Sequence, residues 1–450
     1  MLGGDNVSFR DLYGAIADAA GTAPPRIIVG RMAGRAAARA LALIARSLGV
    51  PPPVDPAYAD AVIGRWSWYD STKAIDALGY RVRPMREIIG PAVAEARRRN
   101  ARTHGLGRRR IAALAPSAEE RPPLLITGAP GWLGNRFIDA FVNGLPDGTP
   151  LPRRRVRLLV EPRHVGLLDL PAPFEVVAGD ILDGAAVARA LDGIGAVYHL
   201  AGAIHPPRTA MLHRVNDAGT RTLVEACAAA GVRRVLLMST DAIAGSGTPG
   251  RRLFDETTPD NPWGDYGVSK QRGEQHLLAA TRAGRIDGTS LRGLWFFGAF
   301  APVRQESFLA MMGWRRQLVF GDGTNLRNVS VTDNLVRAFT QAETAPTTIG
   351  QWYWIGDARA DYTVDEIYRI LCAAKGKPFR PLHLPRAVCT VARAVDRARA
   401  RAGRLHPTIH SMGKFDRDIS GTIDAARRDF GYAPVTSLAE WAAAHLAPER

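Results

Sequence analysis

The sequence predicts an α/β protein built on a doubly wound parallel sheet, with a smaller C-terminal domain and a mostly helical stretch in front of it. Three observations predict this. From Leu124 onward, short apolar runs alternate with alanine-rich helical segments, the pattern of a parallel sheet covered on both faces. The first apolar run, Leu124-Leu125-Ile126-Thr127, enters the glycine turn Gly128-Ala129-Pro130-Gly131-Trp132-Leu133-Gly134 and then a helix-like segment from Asn135 to Val142. Residues 1 to about 100 are helical in composition and echo the chain's own C-terminal end.

The elements follow in order. Residues 1–100 form the N-terminal helical part. Its Ser8-Phe9-Arg10-Asp11-Leu12-Tyr13, Gly21 and Arg31 match Thr363-Val364-Asp365-Glu366-Ile367-Tyr368, Gly376 and Arg386 at one constant offset. Ala77-Leu78-Gly79-Tyr80 then matches Asp429-Phe430-Gly431-Tyr432 after a three-residue gap, so this part reads as a partial internal repeat. A basic polar linker is expected over 101–121, containing Arg108-Arg109-Arg110 and Pro116-Ser117-Ala118-Glu119-Glu120. A nucleotide-binding domain is expected over 122–300. Its strands are Leu124–Thr127, Val156–Val160, Phe174–Val177, Ala196–Leu200, Arg234–Ser239 and Thr289–Leu294, with a helix from Gly219 to Ala230. Residues 301–450 make up the smaller domain.

Composition bounds the function. The chain has 450 residues, a formal net charge of +16 and a pI near 10.4, so contact with an anionic polymer or surface has to be weighed. The basic residues are almost all arginine and are spread without interleaved aromatics, which argues against a nucleic-acid module. Lysine occurs only at positions 73, 270, 375, 377 and 414. Cys227, Cys372 and Cys389 form no CxxC pair, so neither a disulfide framework nor a metal site is expected, and a cytoplasmic location follows as the default. Met1 opens no charged-then-apolar leader, and no apolar run is long enough to span a bilayer. Arg31 to Arg46 and Arg386 to Arg401 alternate arginine with apolar residues, as helices capping a pocket or lying on an anionic membrane surface would.

The glycine turn can hold a dinucleotide pyrophosphate. Gly128 permits the tight turn, Gly131 lets the backbone approach a phosphate, and Gly134 lets the helix pack on the strand. The helix N-terminus, at Trp132 and Leu133, adds free N–H groups and positive dipole. Glu161 ends the second strand, where a carboxylate accepts both adenosine ribose hydroxyls and repels a 2′-phosphate. NAD is therefore expected, with NADP left open by Arg163 two residues on. Asp180, followed by Ile181, ends the third strand within reach of an adenine, and Leu200-Ala201-Gly202 gives the cofactor small residues to lie across. His199 reads as a satisfied core histidine. Tyr266 and Lys270 stand one helical turn apart and share a face. A lysine ammonium there would lower the phenol pKa, making Tyr266 a general acid or base, with Thr240 holding the same substrate oxygen.

With these motifs in this order, residues 122–450 resemble an extended short-chain dehydrogenase/reductase of the NAD-dependent epimerase/dehydratase group. The resemblance implies a Rossmann-like fold, a smaller substrate-binding domain, a catalytic set of Thr240, Tyr266 and Lys270, and Lys270 also on the nicotinamide ribose. It adds Asn216, in Val215-Asn216-Asp217-Ala218-Gly219-Thr220, to the cofactor site. Asp70-Ser71-Thr72-Lys73-Ala74 and Leu78-Gly79-Tyr80 are similar to the substrate-domain end of the same family. Two substrate classes stay open. Arg327 matches the arginine that contacts a nucleotide-sugar diphosphate, whereas Trp295, in Trp295-Phe296-Phe297, would wall a pocket for an apolar secondary alcohol or ketone. Asp241 is followed by Ala242 where sugar dehydratases have glutamate, which argues against dehydration. The resemblance implies an oxidoreductase or epimerase acting on a small molecule. The alternative is a silent nucleotide-binding sensor or scaffold, and the incomplete repeat is compatible with a homo-oligomer.

Overall fold

A computed structural model describes residues 6–22, 24–25, 30–48, 52, 54–62, 70–103, 117–168, 170, 174–247 and 251–447. Most of the expected linker, residues 104–116, lies outside them. The chain divides into two compact units, Met1–Thr103 with Trp314–Arg316, and His104–Gly313 with Gln317–Arg450.

The first unit carries the helices Phe9–Ala20, Arg31–Leu48, Pro56–Val62, Thr72–Leu78 and Met85–Thr103. Ser8 caps the first, its side chain accepting from Asp11 N, and Gly21 closes it in the left-handed region at φ 62°.

Among the described residues, the second unit carries eleven strands. They are β1 (Leu124–Thr127), β2 (Val156–Val160), β3 (Phe174–Ala178), β4 (Ala196–His199), β5 (Arg234–Thr240), β6 (Asp287–Gly293), β7 (Trp295–Phe297), β8 (Gln317–Phe320), β9 (Val329–Val331), β10 (Trp352–Ile355) and β11 (Pro381–Leu384). Seven form one parallel sheet in the order β10-β6-β5-β4-β1-β2-β3. β1 lies between β2 and β4, so the strand order reverses beside it, and ligands of such sheets bind at the strands' C-terminal ends next to that reversal. On one face the helices Trp132–Asn143 and Thr332–Thr344 bury Phe137 and Phe339 against Tyr198, with ring centroids 5.1–5.5 Å apart. Truncating Phe137 there would cost about 3–5 kcal/mol. On the other face the helices Gly184–Leu191, Thr220–Ala230 and Gly264–Arg282 bury Val187, Leu223 and Leu277. A third cluster joins Phe297, Val329 and Val331 to the helices Val364–Ala374 and Leu438–Leu446.

The structure departs from the sequence reading at two places. The seventh strand, β10, comes from the stretch assigned to the smaller domain, so the chain returns to the sheet after leaving it. A buried ion pair, Arg136 to Asp333, ties that returning segment to the helix after the glycine turn. Trp295–Phe297, read only as a pocket wall, is itself a strand paired with β9. Among the described residues, no helix is long and apolar enough to cross a membrane, and no group of three His, Cys, Asp or Glu could hold a metal ion.

Candidate active site

The glycine turn sits where β1 meets its helix, and each glycine is required by a contact. Gly128 is at φ 92°, and a Cβ there would lie 2.7 Å from Ala201 N and Leu200 C. A Cβ on Gly131 would lie 2.6 Å from Gly128 O, and one on Gly134 would lie 2.8 Å from the same oxygen. The turn thus folds onto itself with no room for side chains. Gly131 is the N-cap of the helix Trp132–Asn143, and no side chain caps it. The first-turn N–H groups, at Trp132, Leu133 and Gly134, therefore fit an anion brought by a ligand. Leu133 is buried, and Trp132 is anchored by its Nε1–H donating to Ala299 O at 2.8 Å.

The tips of β2 and β3 carry the acidic residues. Glu161 pairs with Arg163 at 2.8 Å and lies 3.4 Å from His164, so its carboxylate and the competing arginine already neutralise each other. Asp180 Oδ1 accepts from Leu182 N at 3.0 Å, closing the turn that presents Ile181. β4 ends in His199, whose nitrogens meet Thr127 Oγ1 at 2.8 Å and Thr220 Oγ1 at 2.9 Å. Burial, then Lys270, push its pKa down to about 3, so it is a neutral core residue.

Asn216 rides on a π-helical segment, His213–Gly219, and is fully buried. It accepts from Ala203 N and donates to Ala203 O, both at 2.8 Å, which fixes the loop after β4. Its amide also donates to Ser269 Oγ at 3.0 Å on the helix Gly264–Arg282. Gly202 lies between the two, since a Cβ there would be 3.3 Å from Asn216 Oδ1 and 3.9 Å from Lys270 Nζ. One small region thus gathers Gly202, Asn216 and Lys270.

Thr240 ends β5, its hydroxyl donating to Asp241 Oδ1 at 3.0 Å and standing close enough to Tyr266 to favour the charged phenol. The Tyr266 pKa does not fall toward neutrality as expected. Burial pushes it up to about 12, with the Thr240 hydroxyl and the Arg304 charge opposing and the Asp241 charge adding to the rise. Lys270 is turned to the Met238 carbonyl, 2.6 Å away. Burial pushes its own pKa down to about 8 against the pull of Glu274. The helix carrying both residues is fixed by a buried network in which Arg292 holds Glu274 and Asp260, and Ser290 donates to Glu274 at 2.7 Å.

Arg327 and Trp295 fare differently. Arg327 is buried, donates to Lys414 O, and leaves Nε without a partner. Trp295 is half-buried in an aromatic cluster with Phe297, Phe308 and Phe415, with centroids 5.0–6.0 Å apart. Sequence reasoning missed several neighbours of Tyr266. Lys414 Nζ lies 6.0 Å from the Tyr266 ring centroid and 5.9 Å from that of Trp263. Arg304 faces Tyr266 and His205 electrostatically, and His205 lies 6.0 Å from His410, centroid to centroid. Only Lys414 carried a sequence signal, as one of five lysines in an arginine-rich chain.

The comparisons bear on this geometry. The chain is 33% identical over 339 residues to the uncharacterized protein y4nL of Sinorhizobium fredii, covering 73% of this chain and 95% of that one. It is 28% identical over 310 residues to a UDP-glucose 4-epimerase of Mycolicibacterium smegmatis, covering 62% of this chain and 90% of the epimerase. Its fold is similar to that of DesIV, a dTDP-glucose 4,6-dehydratase of Streptomyces venezuelae solved with NAD and TYD bound. There the TM-score is 0.56 at 24% identity, with 72% of this chain and 95% of DesIV covered. Residues 124–356, the stretch that contains the glycine turn, Thr240, Tyr266 and Lys270, match the NAD dependent epimerase/dehydratase family. A sheet of this order, a glycine turn that excludes side chains, and that match over half the chain lead to one conclusion: the protein belongs to the NAD-dependent epimerase/dehydratase family and is an NAD-dependent enzyme.

Proposed function

We propose that this chain oxidises or epimerises a secondary alcohol of a nucleotide sugar, with Tyr266 as the acid–base residue. The observation that carries the reading is the Thr240–Tyr266 pair, set among Arg304, Arg327 and Lys414. Arg304 acts on the phenol, Lys414 Nζ lies 6.0 Å from its ring and Arg327 acts on Lys414, a cationic surrounding that suits a diphosphate better than an apolar alcohol. Trp295, the residue that spoke for an apolar wall, is largely taken up by its aromatic neighbours. Relatedness to a UDP-glucose 4-epimerase supports the same substrate class.

The mechanism follows from the residues. NAD, when bound, supplies the reversible two-electron oxidation of the alcohol. The glycine turn, with Trp132, Leu133 and Gly134, would take its pyrophosphate. Glu161 and Asp180 with Ile181 would take the adenosine end, and Leu200, Ala201, Gly202, Asn216 and Lys270 the nicotinamide end. With its pKa near 12, Tyr266 is protonated at neutral pH and donates to a ketone oxygen. To take the alcohol's proton it must first lose its own, which the facing Arg304 charge favours. Thr240 shares the oxygen and holds it in line. Tyr266→Phe should lower turnover of UDP-sugars about a hundredfold or more, with NAD affinity kept. Full activity in that variant would remove the mechanism.

We infer as well that residues 1–100 are a partial copy of the C-terminal substrate-binding helices. Support comes from matched end geometry. Gly79 and Gly431 both close a helix in the left-handed region, at φ 63° and 67°. Each is followed by a tyrosine N–H donating six residues back, Tyr80 to Ala74 O and Tyr432 to Ala426 O.

A further inference from the structure

A second proton-carrying group packs against the start of the helix that carries Tyr266. His410, on the short helix Pro407–Met412, is 4% exposed. Its Nδ1 lies 2.8 Å from Asp396 Oδ2, on the helix Arg386–Arg401. Its Nε2 is buried and meets no donor or acceptor. A Cβ on Gly264, the first residue of the helix that carries Tyr266, would lie 3.6 Å from His410 Cε1. Lys414, one turn beyond His410, reaches to 6.0 Å from the Tyr266 ring centroid. His205, on the loop after β4, completes the cluster from the sheet side.

His199 shows what a histidine with a purely structural task looks like here, with both nitrogens satisfied by threonine hydroxyls. His410 is held as firmly on one side only. Burial lowers its pKa, with Lys414 and Arg304 adding to the fall and Asp396 opposing it. His205, its other titratable neighbour, is pushed down to about 3 and is neutral. The His410 ring is thus neutral at pH 7, with its proton on Nδ1 toward the carboxylate and a lone pair on Nε2. A buried acceptor left unpaired costs free energy unless a ligand completes it.

We propose that His410, oriented by Asp396, is a second acid–base residue of the pocket, and that its Nε2 removes a proton from the carbon beside the carbonyl of a nucleotide-linked ketosugar. The proposal rests on the nucleotide-sugar reading given above. In this step the C–H bond breaks and its proton passes to Nε2. The electron pair moves into the adjacent carbonyl to give an enolate. The enolate oxygen is met by the Thr240 and Tyr266 hydroxyls, with Arg304 and Lys414 supplying positive charge. The imidazolium keeps its other N–H on Asp396. Return of the proton from Nε2 to the same face restores the ketone with that carbon retained, delivery of a proton from water to the opposite face inverts it while Nε2 passes its own to solvent, and no oxidant or reductant is consumed.

The test uses the full chain with a UDP-linked 4-ketosugar in D2O. Deuterium entering the carbon next to the ketone is followed by NMR, and UDP affinity is measured in parallel. The wild type should exchange well above the uncatalysed rate. His410→Gln and Asp396→Asn should each slow exchange about a hundredfold or more, with UDP affinity within twofold and melting temperature unchanged. The wild-type rate should also fall with a single protonation below pH 6.5, and the residual rate of His410→Gln should lack that step. Should His410→Gln fail to fold, Asp396→Asn carries the same test. UDP binding without exchange in the wild type, or unchanged exchange in the folded variants, overturns the proposal and leaves the substrate reading standing. Failure to bind either UDP or the ketosugar overturns that reading, and this proposal with it.

Discussion

Replacing Lys270 with methionine should make the protein more stable and less active. The ammonium is buried near Gly202 and Asn216, and burial displaces its pKa from 10.5 to about 8. At about 1.4 kcal/mol for each tenfold change in proton affinity, that displacement amounts to about 3 kcal/mol of cost to the folded state at neutral pH. Methionine fills the lysine stem without the charge. It forfeits the hydrogen bond from Nζ to the Met238 carbonyl, worth about 1 kcal/mol. Glu274 is not orphaned, because Arg292 and Ser290 still hold it. The net gain is about 2 kcal/mol, read as a rise of a few degrees in a calorimetric midpoint at pH 7. The sign of the pH dependence can be worked out. Below pH 8 the amine is charged in both folded and unfolded chains, and the full penalty applies. Between pH 8 and 10.5 the unfolded chain keeps a proton the folded one has released, so wild-type stability rises with pH relative to the variant. The gap should be widest at pH 7 and close above 10.5. Turnover and nucleotide binding should both fall in the variant. A variant less stable than wild type at pH 7, or a gap that does not change with pH, would refute the reasoning.

Two further outcomes are expected. NAD(H) should bind more tightly than NADP(H), and Glu161→Ala should narrow the difference about fivefold, the scale of an exposed charge contact near 1 kcal/mol, because it releases Arg163 from its pair. Fluorescence titration reads this, and a native preference for NADP(H) would show that Arg163 governs the site. A shortened chain beginning at Ala118 should keep full NAD binding and turnover, since every residue assigned to the site lies after it. Loss of NAD affinity in that chain would make residues 1–117 part of the enzyme.

The sheet was legible because its signals are local. Apolar runs such as Leu124–Thr127 and Arg234–Thr240 are bounded by glycines and polar residues, and the glycine turn declares its backbone demands residue by residue. β10 escaped because it follows a long excursion through the smaller domain, although its aromatic run Trp352–Ile355 is bracketed by Gly350 and Gly356. The cationic side of the site escaped for a different reason. His205, Arg304 and the His410–Lys414 pair come from distant stretches of chain, and no spacing rule joins the three. The sign of the Tyr266 shift was hidden as well. Helical spacing shows that Lys270 shares a face with Tyr266, but only the packed structure shows the ammonium spent on a β5 carbonyl and burial outweighing charge.

The helix Phe9–Ala20 and its proposed counterpart Val364–Ala374 separate what local sequence controls from what packing controls. Ser8 caps the helix Phe9–Ala20 and Thr363 caps Val364–Ala374, each accepting from the backbone N–H three residues on, at 3.1 and 3.2 Å. Gly21 and Gly376 follow in the left-handed region at φ 62° and 64°. The same short-range chemistry gives the same helix twice. The outcome for the apolar face is opposite. Val364 and Tyr368 are each 1% exposed, packed in the cluster that contains Phe297, Val329 and Val331. Their counterparts Phe9 and Tyr13 are 59% and 51% exposed, and among the described residues the stretch before residue 104 carries no strand to cover them. Tyr368 also stands in the field of Arg327, at the site. A helix of this kind therefore reaches the active site only through the strands beneath it. On the proposed repeat, the caps are kept in the first unit while the strands that seat such a helix are found, among the described residues, in the second.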